Sequence, residues 1–111
     1  MKAKNRLPKL SVAKFQEMVL ELAKLCRWRT AHFRPGMTKA GNWVTAVQGD
    51  GKGFPDLVLV RGSRIIFAEL KRDGEAPTPE QEAWLKALRT ADVETYILEP
   101  RDWSEIERIL A

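Results

Sequence analysis

Two short clusters near the middle of the chain carry residue types that bind cations and handle phosphate: Pro55-Asp56, and Glu69-Leu70-Lys71. Between them lie two apolar runs, Leu57-Val58-Leu59-Val60 and Ile65-Ile66-Phe67-Ala68, whose richness in Val, Ile, Leu and Phe reads as paired strands. The runs meet at Gly62-Ser63, and Gly at the first central position suits a two-residue type II′ turn. That turn sets a register in which Arg61 faces Arg64, Val60 faces Ile65 and, further back, Asp56 faces Glu69. Facing Cβ atoms on paired strands are roughly 4.5–5.5 Å apart, where like charges destabilise a sheet. Lys71 shares the face of Glu69 by the period of two, but one ammonium cannot neutralise two acids. A divalent cation can, and Mg²⁺ is commonly held by one or two carboxylates with water and phosphate completing its shell.

Pro55-Asp56 followed by Glu69-Leu70-Lys71 resembles the PD-(D/E)xK nuclease motif. The wider strings Gly53-Phe54-Pro55-Asp56-Leu57-Val58-Leu59-Val60, Phe67-Ala68-Glu69-Leu70-Lys71 and Thr78-Pro79-Glu80-Gln81-Glu82-Ala83-Trp84-Leu85 resemble the VRR-NUC (virus-type replication-repair nuclease) branch of that superfamily, from about Phe15 onward. The resemblance implies a DNA endonuclease that hydrolyses phosphodiester bonds, selective for branched or junction DNA in replication and repair, with Mg²⁺ or Mn²⁺ as cofactor. It implies that Asp56, Glu69 and the backbone carbonyl of Leu70 hold the metal, that Lys71 attends the attacking water, and that Gln81 projects into the site. An ammonium is a donor rather than a base, so orienting the water is the role that Lys71 supports best. A homodimer is expected on the same ground.

The chain departs from the family pattern in its first helix. The family places an additional active-site acid three positions before the Phe that matches Phe15, and this chain has Val12 there. Glu17 or Gln16 is a candidate substitute, and Glu17 and His32 are accessory candidates for the site. The missing acid also supports an alternative, a nucleic-acid-binding module whose nuclease site has degenerated. A third reading makes Asp56, Glu69 and Lys71 a plain buried ion triad in a structural domain.

Composition narrows the class. With 111 residues, 44% hydrophobic and 31% charged, the chain has the make-up of one ordinary globular domain. A net charge of +4 favours a polyanionic partner, and DNA is the one expected. No apolar run approaches the roughly 18 residues of a membrane span, and the basic start of the chain lacks an apolar signal core, so no membrane and an intracellular, cytoplasmic location are expected. Cys26 is the single cysteine, which excludes an internal disulfide and a Cys-based zinc site.

The elements around the two clusters follow from periodicity and capping. Residues 1–10, with Lys2, Lys4, Arg6 and Lys9, read as a basic arm, and residues 11–111 as one domain. Ser11 caps a first helix carrying Val12, Phe15, Val19, Leu22 and Cys26 at helical spacing as far as about Arg27. Residues 28–34 alternate like a strand, with Trp28, Thr30 and His32 on one side. Residues 35–52 form a long loop in which Arg34 at its border, Lys39, Trp43 and Lys52 suit nucleic-acid contact, since cations meet phosphates and rings stack on bases. The Gly49-Asp50-Gly51-Lys52-Gly53 stretch leads into a strand and lacks the Gly-Lys-Ser/Thr ending, which excludes a Walker-type loop. Thr78, Pro79 and Gln81 spell a capping box, so the cap and the metal site compete for the Gln81 side chain. Ala83, Trp84, Leu85 and Leu88 read as the buried side of that helix. A strand over 93–98 and a last helix capped by Asp102 complete an α/β, restriction-endonuclease-like αβββαβ core, a mixed central sheet flanked by helices.

Overall fold

The computed structural model describes residues 10–33, 36–37, 40–41, 43–44 and 49–111, the side chains of 36–37 and 43–44 excepted. Its elements are α1 (Val12–Leu25), β1 (Arg29–His32), β2 (Gly36–Met37), β3 (Trp43–Val44), β4 (Leu57–Arg61), β5 (Arg64–Leu70), α2 (Pro79–Thr90), β6 (Glu94–Leu98), a 3₁₀ turn (Pro100–Asp102) and α3 (Trp103–Leu110). The central sheet runs β1-β4-β5-β6, antiparallel except for the β5–β6 pair, which is parallel and bridged by α2. This is the mixed sheet flanked by helices that the sequence predicts. The loop expected over 35–52 holds a small addition, the antiparallel pair β2–β3.

Alternation along β4 and β5 decides what each sheet face carries. Leu57, Leu59, Ile66, Ala68 and Leu70 point into a core closed by Phe15, Val19 and Ala23 of α1 and by Ile106 and Leu110 of α3. Burying a side chain of this size contributes on the order of 1.5–3 kcal/mol, so this layer is the main stabilising feature. The opposite face carries Val58, Val60, Phe67 and Glu69. On that side, edge-to-face rings link Trp84 of α2 to Phe54, and Phe54 to both Phe67 and Phe33. Ala83 is exposed rather than buried, because this ring cluster orients α2 through Trp84, with Leu85 beneath it.

The β4–β5 register is the expected one, with Val60 facing Ile65 and Arg61 facing Arg64. Gly62 has φ +61 and Ser63 a negative φ, as a type II′ turn requires. The two facing arginines are kept from mutual repulsion by what they grip. Both guanidinium groups lie over the Trp28 ring, Arg64 forms a two-pronged pair with Glu94, and Arg61 donates to the carbonyls of Cys26, Leu110 and Ala111. Cations at the carbonyl end of α3 are also favoured by the helix dipole. Asp102 does not cap α3 with its side chain as expected. Its Oδ2 accepts from the Glu99 N–H and closes the preceding 3₁₀ turn instead.

Candidate metal-binding active site

Asp56 precedes β4 and continues its register by one step, opposite Glu69. The Phe33 N–H donates to the Asp56 carbonyl at 3.0 Å, so the Asp56 backbone bonds toward β1 and not toward β5. Asp56 and Glu69 therefore form a non-hydrogen-bonded pair, the closer kind, with Cα atoms about 4.5 Å apart in regular sheets. One step on, Pro55 faces Leu70. Proline has no N–H, so the Leu70 carbonyl lacks the ladder donor that a pair there would supply. The Leu70 N–H goes to Asp56 Oδ2 at 2.9 Å. In a strand, the N–H and C=O of one residue share an edge, so the Leu70 carbonyl faces the same side as the Asp56 carboxylate.

Glu69 is only 2% exposed. Its Oε2 accepts from Gln81 Nε2 at 2.7 Å, whereas its Oε1 is buried with no hydrogen-bond partner. Native structures rarely leave a buried carboxylate oxygen unpaired. Burial first, and the charge of Asp56 second, push the Glu69 carboxyl up to about 8. Burial also raises Asp56, against the pull of its bond from the Leu70 N–H. The two carboxyl groups face one another closely enough for a proton on Glu69 to be shared with Asp56.

Lys71 is buried on the same face, yet its ion pair is with Glu75 Oε2 at 4.0 Å and with neither Asp56 nor Glu69. That geometry does not make the plain ion triad that the residue types alone allow. The charge of the ammonium lowers both acids from a distance. Among the described residues no three His, Cys, Asp or Glu side chains converge, and the oxygens on offer here are two carboxylates and a backbone carbonyl. Such an all-oxygen set fits a hard cation that keeps part of its water shell.

Gln81 serves both roles that compete for it in the sequence. Its Oε1 accepts from the Thr78 N–H at 2.9 Å, and its Nε2 donates to Glu69. An amide carries an acceptor and two donors, so the cap that starts α2 also fixes the direction of the hydrogen bond into the site. Gly53 allows α2 to come this close: at φ +83, a Cβ there would lie 2.6 Å from the Glu80 carbonyl carbon and 2.7 Å from the Gln81 nitrogen. The Gly-Phe-Pro-Asp string thus does three separate jobs within four residues.

These groups border a cleft of about 500 Å³ between the first turns of α1 and α2. From α1 it receives Val12, Ala13 and Gln16. Glu17 is absent from the lining, being solvent-exposed and paired with Lys14 at 3.5 Å. His32 lies against Gln16, not against the acids, with Nδ1 3.4 Å from Gln16 Nε2. Lys52 is exposed and 3.8 Å from Glu80. Arg34, Lys39 and the Trp43 side chain, expected to contact nucleic acid, lie outside the described residues, as does the arm over 1–9. Glu75, which lines the cleft, is not singled out by the sequence, because its turn has no periodicity to reveal a direction. Gln16 does leave a signal. It is the one polar residue in the i, i+4, i+7, i+11 row formed with Val12, Val19 and Ala23.

An acid pair across a hairpin beside a parallel strand, under the N-terminus of a crossover helix, is what this mixed α/β sheet, compatible with a nuclease-like core, brings together. The family model of the VRR-NUC domain matches residues 6–102, and the chain belongs to that family of nuclease domains. No curated protein and no solved structure matches the chain.

Proposed function

We propose that the chain is a divalent-cation-dependent deoxyribonuclease, using Mg²⁺ or Mn²⁺ and acting on branched or junction DNA in replication or repair. The observation that carries this reading is the buried acid pair, in which Glu69 Oε1 lacks a hydrogen-bond partner and the charge of Asp56 raises the Glu69 carboxyl, a conflict that a cation or a proton relieves. Asp56, Glu69 and the Leu70 carbonyl would hold the ion. A divalent ion held there supplies Lewis acidity toward a phosphate oxygen and lowers the pKa of bound water.

The remaining work falls to this chain's own groups. Gln81 Nε2 holds Glu69 in one orientation, so the free Oε1 keeps its aim. The Lys71 ammonium, kept in place by Glu75, offers donors to a water or to phosphate oxygen where negative charge grows. The net charge of +4 favours approach of a polyanion.

Val12 at the cleft, where the family has an acid, favours one second reading, a module that binds DNA without cutting it. Both readings face the same assay. Flap, nicked, single-stranded and four-way DNA are incubated with Mg²⁺, Mn²⁺ or EDTA, beside Asp56→Asn. Cleavage of branched substrates that EDTA and Asp56→Asn abolish supports the nuclease. Gel-shift binding without nicking under every metal condition supports the module, and cutting by Asp56→Asn at the wild-type rate would sink the proposed chemistry.

A further inference from the structure

Gln16 is 7% exposed, yet its polar end has a single contact, the 3.4 Å approach of Nε2 to His32 Nδ1. An amide has two donors and two acceptor lone pairs, and among the described residues the one buried side-chain atom left without a partner is Glu69 Oε1, so the Gln16 oxygen is open to the solvent of the cleft rather than sealed in the core. Beside Phe15 and Val19, a Leu or Met would fill the same place on α1 without presenting a polar end there. The uncommitted part of this amide borders the cleft that holds Asp56 and Glu69. Its α1 neighbours there, Val12 and Ala13, have no polar side-chain atoms. On the other wall, Gln81 is an amide held in one orientation by its capping bond. Gln16 has the matching arrangement, with His32 in place of the cap.

We propose that Gln16 is the contribution of α1 to the site. With Nε2 turned to His32 Nδ1, Oε1 turns to the cleft and would accept a hydrogen bond from a water in the shell of a bound divalent cation. His32 is then a positioning residue that keeps the amide this way round. The inference rests on the nuclease reading and deepens it, for a neutral oxygen working through water takes the place of the acid that Val12 lacks. Water-mediated partners of this type are worth about 10–100-fold in metal affinity.

Calorimetric titration with MnCl₂ of the wild type, Gln16→Leu, Gln16→Glu, His32→Phe and the Leu/Phe double variant tests it, with melting temperatures in EDTA as the check on folding. Gln16→Leu is expected to bind Mn²⁺ about tenfold more weakly while melting no lower than wild type in EDTA. Gln16→Glu should bind at least as tightly as wild type, and the double variant no more weakly than Gln16→Leu alone, since the two residues act as one unit. Wild-type affinity in Gln16→Leu, or losses in the two single variants that simply add, overturns the inference while leaving the nuclease reading intact. Absence of Mn²⁺ binding in the wild type overturns both.

Discussion

Replacing Asp56 by Asn should stabilise the metal-free protein and remove its response to divalent cations. The reason lies in the acid pair. Glu69 has its carboxyl raised from 4.5 to about 8, so between those values the folded chain holds a proton that the unfolded chain has released. The unfolded state binds fewer protons there, so stability falls as pH rises. The favourable contribution of a protonated Glu69 is complete below about pH 4.5 and lost as pH climbs through about 8. A raised carboxyl in such a coupled pair contributes on the order of a few kcal/mol. Asn keeps an oxygen for the Leu70 N–H but carries no charge, so it removes the cause ranked second for Glu69. Asp56→Asn should therefore gain about 1–2 kcal/mol at pH 8.5 in EDTA, which is about 4–8 °C in melting temperature for a chain of this size. The gain should shrink toward pH 5. Saturating MnCl₂ should raise the melting temperature of the wild type and leave the variant unmoved, because only an ion that binds the folded state stabilises it. Thermal melts from pH 5 to 9, with and without MnCl₂, provide the measurement. A variant that melts below wild type at pH 8.5, or one that still gains from Mn²⁺, refutes the idea that charge repulsion between these two acids is relieved by a cation.

Other expectations follow from single contacts. Thr78→Ala and Gln81→Leu should each lose about 1 kcal/mol of stability through the broken α2 cap, but only Gln81→Leu should also weaken Mn²⁺ binding, which calorimetry on both separates. Gly53→Ala forces a Cβ into the α2 backbone at a left-handed φ and should cost more than about 2 kcal/mol by denaturant melts, with Mn²⁺ affinity falling as Gln81 is displaced. Arg61→Ala removes the Arg61 donor from the Cys26, Leu110 and Ala111 carbonyls, of which Leu110 keeps the Trp28 indole N–H, and should cost about 1 kcal/mol in the same melts, while Mn²⁺ affinity stays at the wild-type value. Its effect belongs to the far end of the hairpin, away from the cleft.

Much of the site is written locally in the chain. The Gly62-Ser63 turn and the period of two are enough to set Asp56 against Glu69, because strand register permits no intermediate settings. The capping box at Thr78 is equally local, and Pro55 opposite Leu70 follows from the same register. Which α1 residue meets the cleft is a different matter. Helical spacing puts Gln16 and Glu17 about 100° apart, but only the packing of Phe15, Val19 and Ala23 on the sheet fixes the rotation that turns Gln16 inward and leaves Glu17 with Lys14. The pairing of Lys71 with Glu75 and the seating of α2 on Gly53 are likewise tertiary. They depend on how two elements approach each other, and a local pattern carries no record of that distance. Sequence alone determined that two acids share one side of a hairpin; the packed structure decided which neighbours satisfy them and left one buried oxygen of Glu69 without a partner.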